Sequence, residues 1–197
     1  LSDVEQPMDA YQVRRGNPDL KSVTFFTNRF SASYRTKGIS AEVSARYSYD
    51  DKPIMEETLY ENGMFVRTYD NQKAFHRLNF QANLQLQPFK QYVSIKLNPY
   101  FNRYISRGNT YTHTHSNWGF RGSIIGMYKN WIAMLDMFTS YHEFWGETIN
   151  KGEAVHSVAL GYNKEKWAIQ ALVFNPFTKD YHQGVENVSK LAPNKQV

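Results

Sequence analysis

Two histidines lie two positions apart in the sequence Thr112-His113-Thr114-His115. On a strand, side chains at i and i+2 point to the same side, so both imidazoles could bind one metal ion, with His142 as a third ligand. In a polar loop the same side chains are simply solvated, and we predict a loop here and no metal site. The polar and aromatic residues of this segment and of a later loop are instead candidates for contact with a solute. These candidate ligand-binding residues are Thr112, His113, His115, Asn117, Trp118 and Trp145.

Carboxylates form the second group of chemically active side chains. Glu56, Glu57 and Glu61 make one predicted long loop acidic, and Glu143 and Glu147 add acid to the third. Two carboxylates can hydrolyse a glycoside, but this needs a fixed separation that positions in a loop do not define. The sequence has no Ser-His-Asp arrangement, no phosphate-cradling glycine loop and no nucleophile elbow. We therefore predict that the chain is not an enzyme and uses no cofactor.

The elements that carry these side chains are predicted to be strands. In residues 76–89, HRLNFQANLQLQPF, apolar and polar residues alternate with the period of two that a strand requires. The high content of Tyr and Phe, 14 and 13 residues, also favours strands over helices. We predict an all-β fold, an antiparallel meander of about eight long strands. These are placed at 24–36, 39–50, 74–87, 91–105, 117–128, 131–143, 153–162 and 166–175.

The connections between the predicted strands alternate between short and long. Tight turns are predicted at 37–38, 88–90, 129–130 and 163–165. Long loops are predicted at 51–73, 106–116, 144–152 and after 175, and a type I′ turn is predicted at Asn62-Gly63 within the first. This alternation puts all short turns at one end of the meander and all long loops at the other, as in outer-membrane barrels. We treat 1–197 as a single β-barrel segment, with a loop leading in at 1–23 and a loop or tail leading out at 176–197.

Strand length and aromatic placement indicate which solvent the apolar side chains meet. The predicted strands are long, whereas soluble strands have about five or six residues and a tilted strand crosses a bilayer in about 9–11. Aromatic residues fall at two levels, as membrane interfaces select. The level near the short turns is Tyr34, Phe89, Tyr92, Tyr128, Trp131, Tyr162 and Trp167; the level near the long loops is Phe26, Tyr47, Tyr49, Phe101, Trp118, Phe120 and Tyr141. We therefore predict that the apolar side chains face lipid and that the polar ones face a lumen.

Charge and composition narrow the class of partner. The formal net charge is +5, yet no basic run exceeds Arg14 and Arg15, so we predict no nucleic-acid partner. Cysteine is absent, which excludes disulfides and thiolate metal sites. No apolar run approaches the ~20 residues of a membrane helix and residues 1–9 contain no signal peptide, so we expect a mature form or an excised fragment. The predicted lumen-facing polar residues are Arg46, Arg77, Gln81, Lys96 and Arg121, with Glu42 and Asp136 as partners in cross-strand ion pairs.

Residues 15–21, RGNPDLK, resemble the GNPDLK-type segment in the barrel of TonB-dependent outer-membrane receptors. The Tyr-, Asn- and Lys-rich composition is similar to that of relatives common in Bacteroidetes. The resemblance implies a nutrient importer of the bacterial outer membrane, with a plug domain inside a barrel of roughly 22 strands. Because this chain contains neither a plug nor a TonB box, the resemblance implies a fragment of the C-terminal half of such a barrel. TonB would then act only through the missing plug, and the solute would be an iron chelate, a glycan or a peptide.

Two other interpretations remain open on the sequence. Alternating strands also build soluble β-sandwich binding modules, in which exposed Trp118 and Trp145 would contact carbohydrate. The other alternative is a complete, small eight-stranded outer-membrane barrel. Val43 and Phe80 distinguish the sandwich from the membrane wall, because they are buried in the first and face lipid in the second. A segment of a larger barrel has two open edges, so we also expect the isolated chain to self-associate.

Overall fold

The computed structural model describes residues 4–178, 184–191 and 194–196, whose regular secondary structure consists of strands. In these residues no helix has the length and hydropathy needed to cross a membrane. In chain order the strands are β1 (Glu5–Pro7), β2 (Gln12–Arg15), β3 (Thr24–Thr36), β4 (Ile39–Asp51), β5 (Ile54–Glu61), β6 (Met64–Asn71), β7 (Ala74–Leu86), β8 (Val93–Arg107), β9 (Thr112–Tyr128), β10 (Trp131–Phe138), β11 (His142–Trp145), β12 (Thr148–Lys151), β13 (Val155–Lys164), β14 (Trp167–Phe174), β15 (Gly184–Asn187) and β16 (Asn194–Gln196).

Eight of these strands form the main sheet, in the spatial order β14-β13-β10-β9-β8-β7-β4-β3, with every neighbouring pair antiparallel. They are the long strands predicted from alternation, which confirms the antiparallel all-β fold. The prediction is wrong at the start of β9, which begins at Thr112, and at the end of β10, which is Phe138. The predicted loop 106–116 is mostly strand, because Thr112 to Ser116 continue the ladder with Arg103 to Arg107 and so satisfy their backbone groups.

The remaining strands form two four-stranded sheets, almost entirely from segments that the sequence predicts as loops. One has the order β1-β2-β6-β5, and its β5–β6 hairpin turns at Asn62 and Gly63, whose positive φ values confirm the predicted type I′ turn. The other has the order β11-β12-β15-β16, and we call it the cap sheet. The segments 1–23 and 176–197 are therefore not plain loops, although residues 1–3, 179–183, 192–193 and 197 lie outside the described residues.

The RGNPDLK segment attaches the start of the chain to β6. The backbone N–H of Asp19 donates to the side-chain oxygen of Asn17 at 2.9 Å, which closes an Asx turn. The Asn17 amide donates to the Tyr69 carbonyl at 3.0 Å, and the Lys21 N–H donates to Asn71 Oδ1 at 2.6 Å. The turn chemistry predicted for this segment thus fixes the point from which the chain enters β3.

The pairing register divides the main sheet into two faces. We call one the polar face, since Arg, Lys, Asn, Gln and Ser side chains from β3, β4, β7, β8 and β9 predominate there. On the strands that follow, Ile132 and Met134 of β10 and Leu172 of β14 also lie on this face, so its polarity is weaker near β14. The register places on this one face all five residues predicted to face a lumen, Arg46, Arg77, Gln81, Lys96 and Arg121.

The opposite face, which we call the apolar face, is exposed rather than packed into a core. Val43 and Phe80 expose 49% and 45% of their surface, and Leu97 and Ile124 are exposed as well. Trp118 and Tyr128, which belong to the two predicted aromatic levels, stand ten positions apart on β9. That spacing is about 33 Å along the strand and about 25 Å across a membrane at a tilt near 40°, the height of a barrel's apolar band.

The buried core lies at the long-loop end, on the side of the polar face. Its members, Met55, Phe75, Tyr104, Phe144 and Ile149, come from β5, β7, β8, β11 and β12. The Phe75 ring lies 6.2 Å from Tyr104 and 6.3 Å from Phe144, measured between ring centroids. The polar face therefore becomes aromatic at this end, because the cap sheet covers it there.

The main sheet is open at β3 and β14. All 13 residues of β3 and all eight of β14 are exposed. Over the described residues, no pairing joins these two strands. Among the residues that the structure describes, the sheet is therefore a wall with two free edges.

Candidate functional site

A cleft of about 450 Å³ lies on the polar face next to the cap sheet. Its wall is rich in amides that hydrogen-bond across strands: Asn98 Nδ2 donates to Asn83 Oδ1 at 2.9 Å, and Asn79 Nδ2 donates to Asn102 Oδ1 at 2.6 Å. Such a wall offers both donors and acceptors to an uncharged polar solute. The other polar lining residues are Gln81, Tyr100, Arg121, Thr139 and Tyr141.

A second cleft, of about 410 Å³, continues from Asn98 and Arg121 and includes Lys96 and Asp136. The predicted cross-strand ion pairs are not formed, since over the described residues neither expected carboxylate pairs with a basic side chain. Arg121 instead lies over the Phe138 ring at 5.9 Å, and Arg77 likewise lies over an aromatic ring. Without carboxylate partners, these guanidinium groups keep donors available to a solute.

Hydrogen bonds join the polar face to the segment that leads into the cap sheet. The Tyr100 hydroxyl donates to the Ser140 carbonyl at 3.0 Å, and the Asn117 amide donates to the same carbonyl at 3.4 Å. Asn117 Oδ1 accepts from the backbone N–H of His142, also at 3.4 Å. Asn117 is buried, so its amide group binds this segment rather than open solvent.

Gly119 makes this close approach possible. A Cβ at position 119 would lie 1.9 Å from Thr139 Oγ1 and 2.6 Å from the Tyr100 hydroxyl. Thr139 Oγ1 in turn accepts from the backbone N–H of Phe120 at 2.9 Å. Any larger residue at 119 would displace the Thr139 and Tyr100 side chains and break the contacts that hold the segment on the strand.

His113 connects the polar face to the β11–β12 hairpin of the cap sheet. Its Nε2 lies 2.9 Å from Glu147 Oε1, and both side chains are largely buried. Gly146 and Glu147 form a two-residue turn, with Gly146 at φ 61° in the first position, as a type II′ turn requires. This glycine sets the direction in which Glu147 meets the strand. Trp145, before the turn, packs on Phe75 at a ring distance of 4.7 Å.

His115 and His142 form a second contact between the polar face and the cap sheet. His115 Nε2 lies 3.1 Å from His142 Nδ1, and the rings stack with centroids 5.2 Å apart. Both lie beyond the outer aromatic level at Trp118. Burial lowers the pKa of each imidazole; for His115 the charge of His142 lowers it further, and Lys151 acts on both. Both rings are therefore neutral at neutral pH, and one donates to the other.

The six predicted ligand-binding residues do not share one site. His113, His115 and Asn117 lie together on the polar face, in contact with the cap sheet and its leading segment. Alternation along β9 places Thr112 and Trp118 on the apolar face. Trp145 lies on the cap sheet and packs on Phe75 of the core. Within the part of the chain that the structure describes, no group of three or more His, Cys, Asp or Glu side chains is arranged to hold a metal ion.

Sequence reasoning missed three tyrosines at this site. Tyr100 lines the cleft, Tyr104 stacks on His115 at 6.5 Å, and Tyr111 stacks on His113 at 5.0 Å. Burial raises the pKa of Tyr111 to about 12, so its phenol stays protonated. The signal available for Tyr100 and Tyr104 was their even position on β8, the same side of the strand as Lys96.

Comparison with known proteins identifies the family to which this chain belongs. Residues 1–194 match a family model described as the outer membrane protein beta-barrel family. The chain belongs to this family. It is a β-barrel protein of the bacterial outer membrane, as the exposed apolar face and the two aromatic levels predict. No curated protein and no solved structure matches the chain.

Membership of this outer-membrane family excludes one of the three interpretations, and the strand pairing bears on a second. The soluble β-sandwich module is wrong, because Val43 and Phe80 are exposed on a face that meets lipid. The register that puts them there turns Arg46 and Gln81 to the opposite side. The complete eight-stranded barrel would need β3 to pair with β14, a pairing not found among the described residues.

Proposed function

We propose that this chain is a wall segment of a TonB-dependent receptor that imports a scarce nutrient, such as an iron chelate, a glycan or a peptide. The segment contributes barrel wall and solute-facing side chains and performs no catalysis. TonB would transmit energy through a plug domain elsewhere in the receptor. The observation that carries the proposal is the open main sheet with one polar face.

The free edges favour a barrel larger than eight strands. An edge strand in hydrocarbon leaves N–H and C=O groups unpaired, at a cost of several kcal/mol for each group. Both β3 and β14 are exposed along their whole length, so each needs a partner strand. A receptor with roughly 22 strands supplies those partners from its own chain. In their absence, the same edges would pair with another copy, so we expect the isolated chain to self-associate.

The polar face supports a route for a solute. A barrel of that size encloses a wide lumen, and its inward side chains must be compatible with water. The amide cleft around Asn98 and Tyr100 lies beside the cap sheet at the long-loop end, where a solute from outside the cell would arrive. Arg121 and Lys96 add positive charge deeper on the same face, which suits a polar or anionic nutrient.

The gene around this segment tests the receptor assignment. We expect it to encode a plug domain upstream and further barrel strands, and we expect the full-length protein to bind the immobilised periplasmic domain of TonB. A complete gene product without a plug domain would contradict the proposal. A heat-modifiable, monomeric barrel formed by this chain in detergent would favour the eight-stranded alternative instead.

Solute contact is tested in the full-length receptor. A strain that lacks the receptor gene is complemented with Asn98→Ala, Arg121→Ala or a lipid-facing Val43→Leu control. Growth is then measured on the nutrient that the deletion strain fails to use. We expect the two polar-face variants to grow more slowly at limiting nutrient and the control to match the unmodified receptor. Equal growth of all three strains would remove these side chains from the solute route.

A further inference from the structure

The apolar face changes character beyond its outer aromatic level. Phe80, Phe101 and Trp118 are neighbours in one row across β7, β8 and β9. The next three rows toward the long loops contain two arginines and three hydroxyl side chains on the same face. These rows are Leu78–Arg103–Ser116, His76–Ile105–Thr114 and Ala74–Arg107–Thr112.

We propose that Arg103 and Arg107 bind the phosphate groups of a lipid headgroup in the outer leaflet. Aromatic rings such as Trp118 sit at headgroup depth, so side chains one to three rows further out lie among the headgroups themselves. A guanidinium binds phosphate with two parallel hydrogen bonds, a geometry that a lysine does not provide. The two arginines are four positions apart on one strand and therefore project from the same side about 13 Å apart.

Neither arginine is paired with a carboxylate in the part of the chain that the structure describes. Both side chains are exposed, and over the described residues neither forms an ion pair, a side-chain hydrogen bond or a cation–π contact. Asp51 is the carboxylate in the row of Arg107, but it lies two strands away on β4. That separation is about 10 Å, close to the Debye length at physiological salt. A phosphate at the strand surface is therefore the stronger partner.

Hydroxyl groups on the neighbouring strand complete the surface. Thr112, Thr114 and Ser116 are exposed beside the arginines and can donate to phosphate or sugar oxygens. The aromatic row below them would contact the first part of the acyl chains. The surface thus matches a phosphorylated glycolipid, with an anionic, hydroxyl-bearing head above hydrocarbon.

Lipid titration of the full-length protein in dodecyl maltoside micelles tests this proposal. The probes are a bisphosphorylated glucosamine-disaccharide lipid, the same lipid after enzymatic removal of its phosphates, and inorganic phosphate as a competitor. The variants are Arg103→Gln/Arg107→Gln and a matched control, Arg46→Gln/Lys96→Gln, which removes two charges from the polar face. Bound lipid is counted by native mass spectrometry, and the β-sheet circular dichroism signal of each variant checks its fold.

We expect dephosphorylation to weaken binding at least tenfold. Loss of both arginines should weaken it about thirtyfold, the factor that two basic groups near an anionic surface contribute. The control should stay within about twofold. Equal binding of the two lipids by the unmodified chain would overturn the proposal, and this comparison needs no variant. An equal loss in the control, or full displacement by millimolar inorganic phosphate, would also overturn it.

Discussion

Replacement of Gly119 by alanine tests how the polar face holds the cap sheet. The new methyl group would lie 1.9 Å from Thr139 Oγ1 and 2.6 Å from the Tyr100 hydroxyl. Both groups belong to the hydrogen bonds that attach the leading segment, including the one from Tyr100 to the Ser140 carbonyl. The Thr139 and Tyr100 side chains must therefore move, which breaks hydrogen bonds that attach the segment to β8 and β9.

The expected loss follows from three contributions. Overpacking of a filled space costs about 1–3 kcal/mol. The lost hydrogen bond from Tyr100 costs about 1 kcal/mol. Replacement of glycine by alanine within a strand stabilises the folded state by about 0.5–1 kcal/mol. The free energy of unfolding should therefore fall by about 2 kcal/mol, or about thirtyfold in the folding equilibrium constant.

Urea unfolding of the full-length protein in lipid vesicles, followed by tryptophan fluorescence, measures this change. Gly126→Ala is the matched control, because it lies on the same strand and a Cβ there meets nothing within 4 Å. We expect the control to be neutral or slightly more stable. If Gly119→Ala unfolds at the same urea concentration as Gly126→Ala, the close approach of Thr139 does not hold the segment and the reasoning is refuted.

Three further outcomes are expected. Because burial lowers the pKa of His115 and His142, their contribution to stability is complete above about pH 6.5 and is lost as the pH falls below it. Urea unfolding curves at several pH values should show this loss, and the double variant His115→Gln/His142→Gln should not show it. Gly63→Ala should lose about 1–2 kcal/mol in the same urea assay, because φ is 82° there, whereas an unchanged midpoint would contradict the type I′ turn. Phe75→Ala should lose about 3–5 kcal/mol, since this ring is fully buried in the core, and a loss below 1 kcal/mol would show that the core is not packed as described.

The strands and their two faces could be read from the amino-acid order, because alternation is a local property. Residues 76–89 carry the period of two without reference to any partner, and the aromatic levels follow from positions within each strand. The Asn62-Gly63 turn was likewise predictable, because Asn and Gly by themselves favour the two positive φ values that a type I′ turn requires. These local signals were enough to predict an antiparallel membrane wall.

The candidate site depends on contacts between residues distant in the chain. His113 meets Glu147 and His115 meets His142 because the β11–β12 hairpin folds back over β9, and no local period encodes that fold. The extension of β9 to Thr112 was missed for the same reason, since its ladder depends on the partner strand β8. Backbone pairing and burial over long separations are tertiary properties, so they appear only when the strands are placed side by side.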